Sequence, residues 1–245
     1  MSFASEHARS QYATTTANLT ARMALHSYGT NPETWWEWLT PRLPRDGRVL
    51  EVGAGTGELW QHLPHGALTL VDFSPAMCAR LRQMPGARVL RADAGALPFT
   101  GDAFDTVIAN HMLYHVDDPG LALREFARVL APGGRVAVAV NGRDHMADLE
   151  DFGTPGRAPL RLNGFSAETA RPAMAEVFDD VTVERYPGDL AVPTSEPVLA
   201  YLDSWTPLTG DERAAAARRI QERIDADGAF RIRKHTVLVT GRLTR

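Results

Sequence analysis

Three glycines spaced two apart, Gly53, Gly55 and Gly57, close the apolar run VLEVGAGTGELW at residues 49–60. Glycine where a strand hands over to a helix marks a place where a ligand comes close to bare backbone. A nucleotide, a dinucleotide and a nucleoside-containing methyl donor all meet that description. Side chains able to do chemistry recur at the ends of further apolar runs. They are Glu51 just before the glycines, Asp72 with Phe73 in VDFS, Asp93 with Ala94 in RADAGALPF, and Asn110 with His111 in FDTVIANHMLYHV.

Spacing separates the candidate ligands. The dinucleotide fingerprint is Gly-x-Gly-x-x-Gly, with the third glycine where helix packs on strand. Here Glu58 stands at that third position. A carboxylate there repels a pyrophosphate near the helix N-terminus. No Gly-Lys-Ser/Thr follows, so a Walker loop is excluded. Glu51 lies on an otherwise apolar strand and is expected to point into the ligand cleft. A buried carboxylate costs several kcal/mol unless donors or a positive charge meet it. A cationic amino-acid moiety would supply that charge. Asp72, nineteen residues after Gly53, is placed to accept both hydroxyls of a ribose. Phe73 can face adenine, Asp93 can accept its exocyclic amine, and the Ala94 amide can donate to a ring nitrogen.

Elements that alternate in type must position these residues. GRVLEVG, ALTLVDFS, ARVLRADA, AFDTVIANHML and APGGRVAVAVN read as five strands. TGELWQHL, PAMCARLRQM and a segment from about Pro119 to Leu130 read as helices between them. Strands separated by such helices predict an α/β fold, a parallel sheet covered on both faces. Farther on, Ser166–Phe178 reads as a helix, DVTVERY as a strand, and 194–205 and 209–225 as helices. HTVLVTGRLT alternates cleanly and is expected to enter the sheet antiparallel. Asn18–Tyr28 and NPETWWEWL, with Asn31 as cap and Pro32 at the first helical position, predict an N-terminal helical lid over residues 1–42. The remainder, 43–245, forms the main domain, with insertions at about 144–164 and 188–228.

Together EVGAGTG, VDFS, RADAGALPF, FDTVIANHMLYHV and LREFARVLAPGGRVAVAV resemble class I S-adenosylmethionine-dependent methyltransferases, closest to the small-molecule branch of ubiquinone and menaquinone biosynthesis. Five motifs occur in order, from about Val49 to Val140. The resemblance implies a Rossmann-like, seven-stranded doubly wound sheet in the order 3-2-1-4-5-7-6, its last strand antiparallel. It implies S-adenosylmethionine as cofactor and S-adenosylhomocysteine as product. Gly53, Ala54, Gly55 and Gly57, with Glu51 nearby, would hold the methionine part. Asp72 would hold the ribose, Asp93 the adenine, and Asn110 the amine or sulfonium region.

The acceptor side is less determined. His111 and His115 are the candidate general bases, since a neutral imidazole suits proton removal from a phenol. His115 sits in a turn where histidine also ties loops. Arg22 and His26 share a lid face, where Arg22 could clamp the donor carboxylate. Tyr12, His26, Tyr28, Met112 and Tyr114 are candidate walls for the substrate, whereas Trp35, Trp36 and Trp38 read as packing residues. Catechol-type enzymes use an Asp after the fourth strand and a later Asp-Asn pair to hold magnesium. Asn110 and Asn141 occupy the corresponding strand ends, so metal-independent transfer is expected. The function read here is methyl transfer to a small, partly apolar metabolite. The alternative is a binding protein or cyclase that kept the donor site and lost transfer.

Composition adds exclusions. The 245 residues carry a formal net charge of −4, with no basic face of the kind nucleic-acid binding needs. Cys78 is the single cysteine, which excludes an internal disulfide. The opening MSFASEHARSQYATTT lacks a signal-peptide pattern, and no run approaches the roughly 20 apolar residues of a membrane span. A cytoplasmic protein with a small-molecule partner is expected. Nothing fixes its oligomeric state.

Overall fold

The computed structural model describes residues 22–45, 47–64, 66–152, 164–205 and 207–244. Seven strands form one sheet. They are β1 (Val49–Val52), β2 (Leu68–Asp72), β3 (Ala87–Arg91), β4 (Phe104–Asn110), β5 (Leu130–Asn141), β6 (Asp179–Arg185) and β9 (Thr236–Arg242), in the order β3-β2-β1-β4-β5-β9-β6. The first five are mutually parallel, and β9 runs antiparallel to both β5 and β6. This is the doubly wound, Rossmann-like arrangement expected from the sequence. The central strands are apolar on both faces because helices cover both. All four residues of β1 are buried, including Glu51.

Helix α1 spans Trp35–Leu39, α2 Pro75–Leu81, α3 Pro119–Val129, α4 Ala167–Ala175, α5 Ser195–Trp205 and α6 Gly210–Asp227. In α3, Asp118 accepts the Leu121 amide at 2.9 Å and Pro119 fills the first turn. Ala122, Leu123, Phe126 and Val129 then fall on one buried face. Each large side chain so buried contributes about 1.5–3 kcal/mol.

Two expected elements differ. The helix predicted at TGELWQHL is only a 3-10 turn, Glu58–Gln61. Its N-terminus at Gly57 carries no side-chain cap, and Pro64 bars the α conformation at the residue before it. The tryptophan helix starts at Trp35, later than Asn31 and Pro32 suggested. The Thr34 hydroxyl accepts the Glu37 amide at 3.3 Å while the Glu37 carboxylate accepts the Thr34 amide at 2.8 Å. This reciprocal pair satisfies two helix-end donors at once, whereas Asn31 closes a local turn on the Glu33 amide.

A second apolar core lies outside the sheet. It joins Leu25, Met146, Leu149, Phe152, Ile220, Phe230 and Ile232. Strands β7 (Leu190–Val192) and β8 (Phe230–Ile232) form a two-stranded antiparallel sheet within it, a pair absent from the sequence reading. The N-terminal segment is tied in by the Thr30 amide donating to the Asp189 carbonyl at 2.8 Å. The cap is therefore composite. Residues near the N-terminus, the stretch after β5 and the region from β7 to β8 share one core.

Candidate active site

The glycine turn leaves β1 with its backbone held by hydrogen bonds. The Gly53 and Ala54 amides donate to the Val71 carbonyl at 2.8 and 3.1 Å. Gly53, Gly55 and Gly57 have φ of +71°, +56° and +75°, the left-handed region open mainly to glycine. A Cβ on Gly53 would meet Met112 Cβ at 2.5 Å, and one on Gly57 would meet Met84 Cε at 2.7 Å. A Cβ on Gly55 would meet nothing within 4 Å. Two glycines thus serve packing, and Gly55 presents bare backbone to open space.

Asp72 sits at the end of the neighbouring strand. Its two carboxylate oxygens accept the Gly55 and Ser74 amides, each at 2.8 Å. Burial pushes its carboxyl above the usual range, and those amides oppose the shift. Glu51 is buried, 2% exposed, just before the glycine turn. Its carboxylate accepts the Trp60 indole N–H at 2.5 Å, in the wall beneath the turn. Burial, with a smaller contribution from Asp72, pushes its pKa up to about 8, although the Trp60 hydrogen bond pulls the other way.

Asp93 is exposed after β3 and accepts the Gly95 amide at 2.8 Å, while Ala94 beside it is buried. Phe73 lies below the Arg91 guanidinium, 5.7 Å from its ring centroid. At the end of β4, Asn110 Oδ1 is buried with no hydrogen-bond partner. His111 follows at φ +54°, its Nδ1 also buried and unpartnered. Its ring centroid lies 5.4 Å from Trp35. Burial, then the Lys234 ammonium, pushes His111 down to about 3. Met112 packs on the glycine turn, and Tyr114 lies 4.5 Å from the His115 ring.

Among the lid residues, Arg22 makes other contacts. Arg22, expected to clamp the donor carboxylate, donates to the Ser204 hydroxyl at 3.1 Å and carbonyl at 2.7 Å. Its guanidinium stacks 3.6 Å over Trp205, so it ties the N-terminal segment to the end of α5. His26 is pushed down to about 4 by burial and by Lys234. Tyr28 packs on the cap core. Tyr12 lies outside the described residues.

Several polar groups outside these motifs escaped the sequence reading. They are His145, Tyr186, Lys234 and the cluster of Asp144, Glu168 and His235. The cluster brings one ligand atom each within 4.8 Å, and no other such group of three or more occurs among the described residues. Asp144 is hydrogen-bonded to the His235 ring, and Glu168 accepts the Arg143 amide at 3.2 Å. Gly142 makes room for this, since a Cβ there would fall on the His235 ring. One signal was available for Lys234. It is the chain's single lysine.

The strand-end acids, the turn opened at Gly55 and the sheet order belong to one known architecture. Residues 50–138 match the model of the methyltransferase domain family. This segment is similar to methyltransferase domains. Such domains take S-adenosylmethionine as cofactor. The chain is similar to a malonyl-acyl-carrier-protein O-methyltransferase of Halorhodospira halophila, 33% identical over 158 residues covering 61% of this chain and 46% of that protein. It is also similar to a demethylmenaquinone methyltransferase of Roseiflexus castenholzii, 42% identical over 101 residues, 38% of this chain and 42% of that one. The chain thus spans less than half the length of these two relatives. Among solved structures, phosphoethanolamine N-methyltransferase 2 of Haemonchus contortus in complex with S-adenosyl-L-methionine aligns with a TM-score of 0.60. It is 16% identical and covers all of this chain and 60% of that one. No described helix is long and apolar enough to cross a membrane.

Proposed function

We propose that this protein transfers a methyl group from S-adenosylmethionine to a small, partly apolar metabolite without a metal ion. One observation carries the donor site. The Gly55 backbone is open to a ligand while its amide is held at 2.8 Å by the Asp72 carboxylate. The turn and the ribose-binding acid are therefore built as one unit. The glycine turn would take the methionine part, Asp72 the ribose, Asp93 and the Ala94 amide the adenine, with Phe73 against the ring. Asn110 Oδ1, buried and unpartnered, is an acceptor for the donor's ammonium.

The sulfonium methyl is already activated, so positioning and exclusion of water supply most of the rate. Lid closure, with Tyr12, His26 and Tyr28 toward the acceptor, would complete that exclusion. Met112 and Tyr114 would line the same space from the β4 side. His111 and His115 flank the predicted methyl. An imidazole held near pKa 3 stays neutral at physiological pH and is a weak base, so His111 orients the acceptor and His115 is the better-placed base where a proton must leave. The reading includes a cytoplasmic setting and no nucleic-acid partner.

The test is thermal unfolding of ligand-stripped protein with S-adenosylhomocysteine and, separately, NADH. A ligand at 100 times its Kd stabilises by about 2.7 kcal/mol, a shift of several degrees at this size. A shift with S-adenosylhomocysteine alone supports the donor site, and a shift with NADH alone overturns it. Release of S-adenosylhomocysteine from a panel of acceptors then separates transfer from mere binding or cyclisation.

A further inference from the structure

Burying a lone ammonium is expensive. Even after relaxation the penalty persists unless a carboxylate or a set of acceptors meets it. Lys234 is only 7% exposed. Among the described residues no carboxylate forms an ion pair with it, and no acceptor is hydrogen-bonded to its Nζ. Its one recorded partner is the face of Tyr186, whose centroid lies 4.8 Å from Nζ. A cation over an aromatic face recovers less than desolvation costs. The backbone on either side is fixed. The Lys234 amide donates to Asp189 Oδ1 at 2.9 Å, and its carbonyl accepts from Arg185 at 3.2 Å. The Asp189 carboxylate is thereby engaged by the main chain.

Tyr186 links this ammonium to the end of β4. Its ring meets Trp35 edge-on at 5.5 Å, and Trp35 lies 5.4 Å from His111. Lys234 therefore stands on the same aromatic wall as His111. The titratable groups that sense it are His26, His111 and His145, which come from the N-terminal segment, the end of β4 and the stretch after β5. His145 is fixed there by accepting the His235 amide at Nδ1, 3.1 Å away. Each of these imidazoles is driven toward its neutral form, and none brings a negative charge. An ammonium with no described acidic partner, set among neutral imidazoles and against an aromatic wall, favours an anion as its partner.

We propose that Lys234 anchors an acidic acceptor, an organic acid whose anionic oxygen pairs with the ammonium beside His111. This rests on the methyl-transfer reading and names the substrate class for it. In the transfer, a lone pair of the acceptor forms the bond to the methyl carbon as the carbon–sulfur bond breaks. The electron pair of that bond returns to sulfur, leaving the neutral thioether. An acceptor that arrives as its anion has no proton left to lose, which matches a neutral His111 with no base duty.

A single lysine makes the test direct. Protein labelled with 15N-lysine gives one side-chain signal, that of Lys234. The probes are acetate, benzoate and phenylacetate, each matched with its amide, and benzylamine as a cation. They are titrated into protein with and without S-adenosylhomocysteine. The expected result is a saturable shift of the Lys234 signal with at least one acid and none with its amide or with benzylamine. Lys234→Met keeps the chain length and removes the charge. It should weaken that acid at least 10-fold in calorimetry while S-adenosylhomocysteine affinity stays within twofold. Lys234→Gln is the second variant should the methionine disturb folding. The proposal is overturned if no acid is preferred over its amide, or if both variants keep wild-type affinity for the acid. Failure of wild-type protein to bind S-adenosylhomocysteine would instead overturn the donor site, which the lysine signal reads independently.

Discussion

The Trp60 indole N–H and the Glu51 carboxylate meet at 2.5 Å, closing the glycine turn from its two ends. Glu51 leaves the last residues of β1, and Trp60 arrives on the 3-10 turn that follows Gly57. With the acid mostly protonated at pH 7, this hydrogen bond contributes about 0.5–1.5 kcal/mol net, and leaving the buried acid without its donor costs about 1–3 kcal/mol. Trp60→Phe should therefore lower the unfolding midpoint by several degrees. Calorimetry of the variant checks this, and an unchanged midpoint would show that the bond adds nothing to the turn.

The same acid should report donor binding as a proton. With its pKa at about 8, Glu51 is mostly protonated at pH 7 in the ligand-free protein. A folded pKa raised above the unfolded value gives stability that is fully present below the unfolded pKa, near 4.5, and is lost as pH rises through about 8. A donor ammonium beside Glu51 favours the ionised form, so binding should release close to one proton. Titrations of S-adenosylmethionine in Tris and in phosphate differ in heat by that proton's ionisation. Glu51→Gln should abolish the difference and weaken binding about tenfold. Equal heats in the two buffers for the wild type would sink the linkage.

Two glycine substitutions should separate packing from ligand access. Gly53→Ala forces a Cβ to within 2.5 Å of Met112 and should destabilise strongly. Gly55→Ala meets nothing and bears only the left-handed strain, about 1–2 kcal/mol. Its methyl would stand where ligand meets backbone, so it should lose S-adenosylhomocysteine binding out of proportion to its loss of stability. Unfolding midpoints with and without ligand give both quantities. Gly55→Ala binding like wild type would remove the ligand from this turn.

What was legible in the sequence follows from how local the determinants are. The strands of the sheet, the register of acids at their ends and the antiparallel β9 came from short apolar runs with clear punctuation. The Asp118 cap of α3 and the Ser74 cap of α2, not named from the sequence, are equally local. The Trp60 partner of Glu51 was not legible, because alternation on a strand says which residues are apolar, not which neighbour will close over the exception. Trp60 does that from nine residues away. Arg22 was given to the donor, whereas its partners, Ser204 and Trp205, lie at the far end of the chain. Lys234 and Tyr186 meet through long-range packing in the same way, which no periodicity announces.

Asp72 binds two amides through two oxygens, so its isostere is informative. Asn at this position keeps one acceptor and turns an amide N–H donor toward another N–H. Asp72→Asn should release either the Gly55 or the Ser74 amide, at a cost of about 1–3 kcal/mol. Hydrogen exchange at Gly55 should quicken, and S-adenosylhomocysteine affinity should fall more than tenfold. Unchanged exchange at both amides would mean that the carboxylate does not hold the turn.

The histidines set the acid limit of stability. His26 is held at about 4, His111 at about 3 and His145 well below its ordinary value, burial being the largest cause in each. An imidazole with a depressed folded pKa binds its proton more readily in the unfolded chain. No such loss operates above about pH 6.5, and stability falls as pH drops from there toward the folded values. Each histidine adds a slope of up to about 1.4 kcal/mol per pH unit in that window. His111 can be tested without breaking the backbone, because asparagine also tolerates its φ of +54°. Urea unfolding of His111→Asn between pH 7.5 and 5 should show a limb shallower than wild type by close to one proton. His111→Val, a β-branched residue forced into the same conformation, should be less stable at every pH. Coincident limbs for wild type and His111→Asn would mean that the imidazole takes up its proton in the folded protein, and the neutral wall beside Lys234 would be wrong.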